Sequence, residues 1–165
     1  MNSQEIKKDI IDLRTALAAL KEIDGQLLET NVEVEPFGEL CGVYRHIGAG
    51  GTVMRPTKLG PAMLFNNIKG HPGAKVAIGL LASRERVGYL LNCDPRKLGF
   101  LLKDSVNNAL APVTIPQERA KCQEVVYKAT DEGFDIRKLV PAPTNTPEDA
   151  GPYVTFGMAY ASDPE

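Results

Sequence analysis

Apolar residues at Ile6, Ile10, Leu13, Leu17 and Leu20 recur three and four positions apart, the spacing that gathers side chains on one face of a helix. Ser3 is placed to cap that helix, and Lys7, Lys8, Arg14 and Lys21 fall mainly on its water-facing side. After the turn signal Asp24 and Gly25 the period changes to two. Leu28, Thr30, Val32 and Val34 alternate with Glu29, Asn31 and Glu33, which predicts a half-buried strand. Residues 40–47 predict a short helix ended near Gly48, because glycine accepts the left-handed backbone of a helix C-terminus. Residues 61–65 and 75–81 are largely apolar and predict two buried strands, separated by Asn66, Asn67 and a turn at His71, Pro72 and Gly73.

Farther on, Ser3's counterpart is Ser83, placed to cap a helix that carries Val87, Leu90 and Leu91. A further helix is expected to start at Pro95, a good first-turn residue, and to run through Val106. Pro112 and Pro116 interrupt any regular element, so residues 112–119 read as a connector. Beyond Cys122 the pattern breaks into short β-like pieces at 125–127 and 153–160 with a long loop between them. The expected organisation is a mixed α/β (α+β) domain over residues 1–118, followed over 119–165 by the start of a second unit.

Composition sharpens this picture by exclusion. At 165 residues, with 43% hydrophobic and 24% charged residues, the chain has the content of an ordinary globular protein with a sizeable core, not of a disordered tail. A formal charge of −2 gives no reason to expect nucleic acid or an anionic membrane as partner. Cys41, Cys93 and Cys122 are odd in number and far apart, so neither a disulfide framework nor a zinc site is predicted. The N-terminal residues lack the apolar core of a signal peptide, and no apolar run reaches the roughly 18 residues of a membrane span. A cytoplasmic setting is expected.

Candidate chemistry is sparse. The glycines of HIGAGG, residues 46–51, suggest a phosphate loop, but the strand, GxGxxG and helix context and the GKS or GKT ending are missing, so a glycine-rich helix exit is the better reading. His46 and His71 are the only histidines, and no local spacing supplies further metal ligands. None of the cysteines has an adjacent base, which favours packing over nucleophilic roles. Glu148 and Asp149 lie side by side after Pro147 in the manner of solvated loop acids, since consecutive residues need not converge on one substrate atom. Thr155 and Gly157 are small enough to let a flat ligand approach a strand, yet by themselves read as packing residues. No catalytic or metal-ligating position is assigned.

Several longer blocks carry more. ELCGVYRHIGAGGTV at 39–53, GPAMLFNNIKG at 60–70, ASRER at 82–86 and PAPTNTPEDAGP at 141–152 stand in order, with CQE at 122–124 and FDIRKL at 134–139 between the last two. Together they resemble the N-terminal part of the UbiD-type decarboxylases, especially bacterial enzymes acting on gallate, protocatechuate or 4-hydroxybenzoate. The resemblance spans nearly the whole chain.

It implies a mixed α/β domain followed by the opening strands of a split β-barrel that holds prenylated FMN, a divalent metal (Mn or Mg) and often K or Na. It implies reversible decarboxylation of an aromatic carboxylic acid, with the flavin as electron sink, and a separate flavin prenyltransferase as the source of the cofactor. Thr155 is the one position the resemblance assigns to the cofactor. The family's metal ligands, flavin-side arginine and catalytic carboxylates fall beyond the position matching Glu165. The chain is therefore expected to be the N-terminal portion of such an enzyme, inactive alone and without a tightly held cofactor. The alternative is a non-catalytic interaction or assembly module that self-associates through an unpaired sheet edge.

Overall fold

The structure, a computed structural model, describes residues 10–50 and 59–154. Ser3, Ile6, Thr155 and Gly157 lie outside the described residues. The helix α1 (Leu13–Lys21) is capped by Asp12. Asp12 Oδ1 accepts the Thr15 N–H at 2.8 Å, while the Thr15 hydroxyl oxygen accepts the Asp12 N–H at 3.0 Å. This reciprocal box satisfies amides that a helix start leaves free, so α1 begins where the box forms. Ile10 and Ile11 precede it, and Ile11 is 82% exposed. Ala19 and Leu20 deliver the buried face.

Three strands form a sheet in the order β1 (Leu27–Thr30), β2 (Ala62–Phe65), β3 (Val76–Ile78). β1 runs parallel to β2 with Leu27 opposite Ala62, and β3 runs antiparallel with Ile78 opposite Met63. All four residues of central β2 are buried, which explains its unbroken apolar run. The alternation predicted through Val34 pairs only as far as Thr30. Val34 returns to the sheet side through a single bridge to Ile68. The second predicted apolar strand is likewise trimmed to three residues, which pair with Met63, Leu64 and Phe65 of β2.

The helix α2 (Glu39–Ala49) packs on β2 and stops at Gly50, whose φ of +85° is the left-handed conformation predicted two residues earlier. Val34, Leu40, Cys41, Met63, Phe65 and Ile68 form the core, with Tyr44, Ile47, Val76 and Ile78 around it. Phe65, Leu20 and Leu40 are fully buried, each contributing about 1.5–3 kcal/mol from removal of apolar surface from water.

The helix α3 (Arg84–Leu90) is capped as predicted, Ser83 Oγ accepting the Arg86 N–H at 3.3 Å. The element predicted from Pro95 divides into a 3-10 turn (Pro95–Lys97) and α4 (Leu98–Asn107), because the Asp94 carboxylate draws the Arg96 N–H into the tighter turn. Leu98 is buried, whereas Phe100, Leu102 and Val106 face outward. Asp135 repeats the device at α5 (Ile136–Leu139), holding the Arg137 N–H and guanidinium.

Arg96 and Arg137 hold the carboxyls of Asp94 and Asp135 down at about 2, from an ordinary 3.8. A depressed folded-state pKa contributes stability that is present above the unfolded value and lost as pH falls through the folded one. Carboxyl carbon NMR titration should therefore place both midpoints near 2, and α5 should keep its cap at pH 3 and lose it toward pH 2; midpoints near 3.8 would show that neither cap pair persists in solution.

Residues 125–127 are not a strand, although β-like by sequence. Val125, Val126 and Tyr127 are exposed, and Tyr127 instead stacks on Phe134 with ring centroids 5.5 Å apart. A strand needs a neighbour to pair with, and local apolarity supplies none. Tyr153 and Val154 are irregular, and the rest of the predicted piece at 153–160 lies outside the described residues. Among the described residues no helix is long and apolar enough to cross a membrane.

Candidate functional site

Two joints organise the surface beside α2. The first is Arg86, buried to 2% exposure although arginine is ordinarily a surface residue. Its guanidinium donates from Nη1 to the Gly79 carbonyl at 2.6 Å, from Nη2 to the Gly60 carbonyl at 2.7 Å and from Nε to Gln26 Oε1 at 3.2 Å. These acceptors stand just before β1, just before β2 and just after β3, so one rigid fork ties the same end of all three strands. Burial pulls the Arg86 pKa below the ordinary arginine value.

The second joint fastens the PAPTNTPEDAGP block to residues 36–41. Thr144, buried, donates its N–H to the Pro36 carbonyl at 3.1 Å, and its own carbonyl accepts the Gly38 N–H at 2.8 Å. One residue on, Asn145 Oδ1 accepts the Cys41 thiol of α2. Burial, and then the nearby Asp149 charge, push the Cys41 thiol pKa up, so this cysteine is a neutral packing group and not an activated nucleophile. His71 adds a third tie, its Nδ1 lying 3.1 Å from the Lys138 carbonyl.

Between α2, β3 and residues 140–154 lies an open groove of about 880 Å³. Tyr44, Val76, Ile78 and Pro141 give it chiefly apolar walls, Arg45 and Lys75 add cationic groups, and Tyr153 and Val154 stand at the point where the described chain leaves it. Such a surface suits an apolar ligand or chain segment.

Of the described residues singled out by sequence, Cys41 lines the groove and the others do not converge on it. His46 sits in the last turn of α2, and HIGAGG is the exit of that helix as far as Gly50, with Gly51 outside the described residues. Glu148 is exposed, while Asp149 turns inward to accept backbone N–H groups. Among the described residues no group of three or more His, Cys, Asp or Glu is placed to hold a metal. Thr155 follows directly on the groove-lining Val154. Sequence reasoning missed Arg86 and Thr144. The block ASRER contained the first, but nothing in its spacing announced burial.

Residues 18–104 match the family described as 3-octaprenyl-4-hydroxybenzoate carboxy-lyase N-terminal domain, and residues 113–165 match the Rift-related domain of the same carboxy-lyase. The chain is 57% identical over 151 residues to gallate decarboxylase of Lactiplantibacillus plantarum, covering 92% of this chain and 31% of that protein. Among solved structures it resembles the 3,4-dihydroxybenzoic acid decarboxylase AroY of Klebsiella pneumoniae, crystallised in its apo form, with a TM-score of 0.77 and 54% identity over 86% of this chain and 29% of that one. It also resembles an evolved dimeric form of the UbiD-class enzyme HmfF from Pelotomaculum thermopropionicum in complex with prFMN, with a TM-score of 0.71 and 26% identity over 87% of this chain and 30% of that one. The chain thus spans about a third of the length of the relatives it matches. With one family domain matched over more than half of its residues and the next following in order, the chain belongs to the UbiD family of carboxy-lyases.

Proposed function

We propose that the chain is the N-terminal portion of a prenylated-FMN-dependent, reversible decarboxylase of hydroxybenzoate-type aromatic acids, and that it is inactive alone. The observation that carries this reading is the 57% identity to gallate decarboxylase over 151 residues. In this reading residues 1–118 are the mixed α/β domain and 119–165 open the split barrel, with Thr155 lining the cofactor. The complete enzyme is cytoplasmic, holds Mn or Mg with K or Na, and receives its cofactor from a flavin prenyltransferase.

Prenylated FMN, when bound, supplies the electron sink for loss of the carboxylate. The described residues do not by themselves fit a divalent metal, for they bring together no cluster of ligands. Their part is mechanical: Arg86 holds the strand ends together, and the Thr144 joint sets where the chain departs at Tyr153. The interaction-module reading gains nothing from the relatives above, which are decarboxylases or an enzyme of the same class.

Two expression experiments test the proposal. Purified after co-expression with a flavin prenyltransferase, the 165-residue chain should be colourless and release no carbon dioxide from gallate, protocatechuate or 4-hydroxybenzoate. Substituted for the matching segment of the Lactiplantibacillus gallate decarboxylase, it should yield a coloured, active chimera. Turnover by the chain alone would overturn its inactivity, and a folded but colourless chimera would sink the decarboxylase assignment.

A further inference from the structure

The Thr144 joint depends on a side chain that hydrogen-bonds within its own loop. Asp149 Oδ2 accepts two backbone donors at once, the Asn145 N–H at 3.0 Å and the Thr146 N–H at 2.9 Å, and the Asp149 N–H returns to the Thr146 carbonyl at 3.1 Å. A carboxylate taking two adjacent amides fixes a turn more firmly than either bond alone, since both acceptor sites lie on one rigid group. The turn presents Thr144 to residues 36–38 on one side and Asn145 to Cys41 on the other. Its far end is closed by the Tyr153 N–H, which donates to the Pro143 carbonyl at 3.1 Å. Residues 143–153 are thus a loop tied at its base, shaped from within by Asp149, and anchored to α2 and its approach.

We infer that Asp149 is a positioning residue that fixes the direction in which the chain leaves the first domain at Tyr153. Where that direction matters for chemistry, through Thr155 two residues on, the inference rests on the flavin-strand reading above. The joint itself does not, and it is tested without any cofactor. Glu148, exposed beside it, is the control for charge and loop composition.

Hydrogen exchange of the 165-residue chain reads the joint directly through the amides of Gly38, Thr144 and Tyr153, with those of β2 as the internal reference. Asp149→Ala should speed exchange at the three joint amides on the order of tenfold while leaving β2 unchanged, because a local opening exposes only the hydrogen bonds it breaks. Asp149→Asn keeps a carbonyl oxygen that both amides can reach and should restore most of the protection, and Glu148→Ala should match the parent. Unchanged joint amides in Asp149→Ala would overturn the inference. So would equal acceleration in β2, which would make Asp149 a general support of the fold. Failure of the flavin reading would instead show as a colourless chimera with the exchange pattern intact.

Discussion

Arg86→Ala is expected to destabilise the chain by about 4 kcal/mol and to lower its Tm by roughly 10 °C, as followed by thermal and urea unfolding. The size comes from what the substitution leaves behind. The Gly60 and Gly79 carbonyls, now held at 2.7 and 2.6 Å, lose their donor in a region where Arg86 itself is nearly inaccessible. A buried acceptor without a partner costs about 1–3 kcal/mol, and here two part-buried carbonyls are orphaned together. Arg86→Met separates this effect from lost packing, because methionine keeps much of the side-chain length but donates nothing. It should fall close to Arg86→Ala. Arg86→Lys retains the charge but cannot span three acceptors at the ends of three strands, so about 2 kcal/mol of loss is expected. A methionine variant within about 0.5 kcal/mol of the parent would refute the claim that the fork binds the strand ends.

Arg86 also marks the limit of what the sequence discloses. Elements whose determinants are local were legible: Ser83 caps α3, a glycine ends α2, and the apolar run at 61–65 becomes the fully buried central strand. Boundaries moved where a competing local bond won, as when the Asp12 and Thr15 box set the start of α1. Strands were overextended wherever pairing ran out, since alternation describes a face and not a neighbour. The pieces at 125–127 fail for the same reason.

The candidate site was hidden by distance along the chain. Cys41 and Asn145 meet across 104 positions, and Arg86 reaches Gln26 across 60. No periodicity encodes such contacts, and an arginine or a threonine reads as surface until something closes over it. Only the resemblance of the blocks 82–86 and 141–152 drew attention to these segments. It named a family without saying which residues carry the load.

Gly60→Ala is expected to cost about 3 kcal/mol, whereas Gly42→Ala should stabilise by about 0.7 kcal/mol. The opposite signs follow from where each missing Cβ would go. At Gly60 it would stand 2.7 Å from Gly48 Cα and 2.8 Å from the carbonyl oxygens of both Gly48 and Ile47. All three are backbone atoms, unable to swing aside as the end of a side chain can. The approach is tight because the Gly60 N–H donates to the Gly48 carbonyl at 2.8 Å, locking the last turn of α2 to the entry of β2. Relieving the clash would pull Gly60 away from Gly48 and drag its own carbonyl off Arg86, so the two joints should fail together. At Gly42, inside α2, an added Cβ meets nothing within 4 Å, and alanine simply removes the entropic penalty of a glycine in a helix. Urea midpoints for the two single variants decide the matter. If Gly60→Ala unfolds at the parent's midpoint, the backbone contact between α2 and β2 is looser than described, and the strand-end fork of Arg86 would have to hold that edge of the sheet without it.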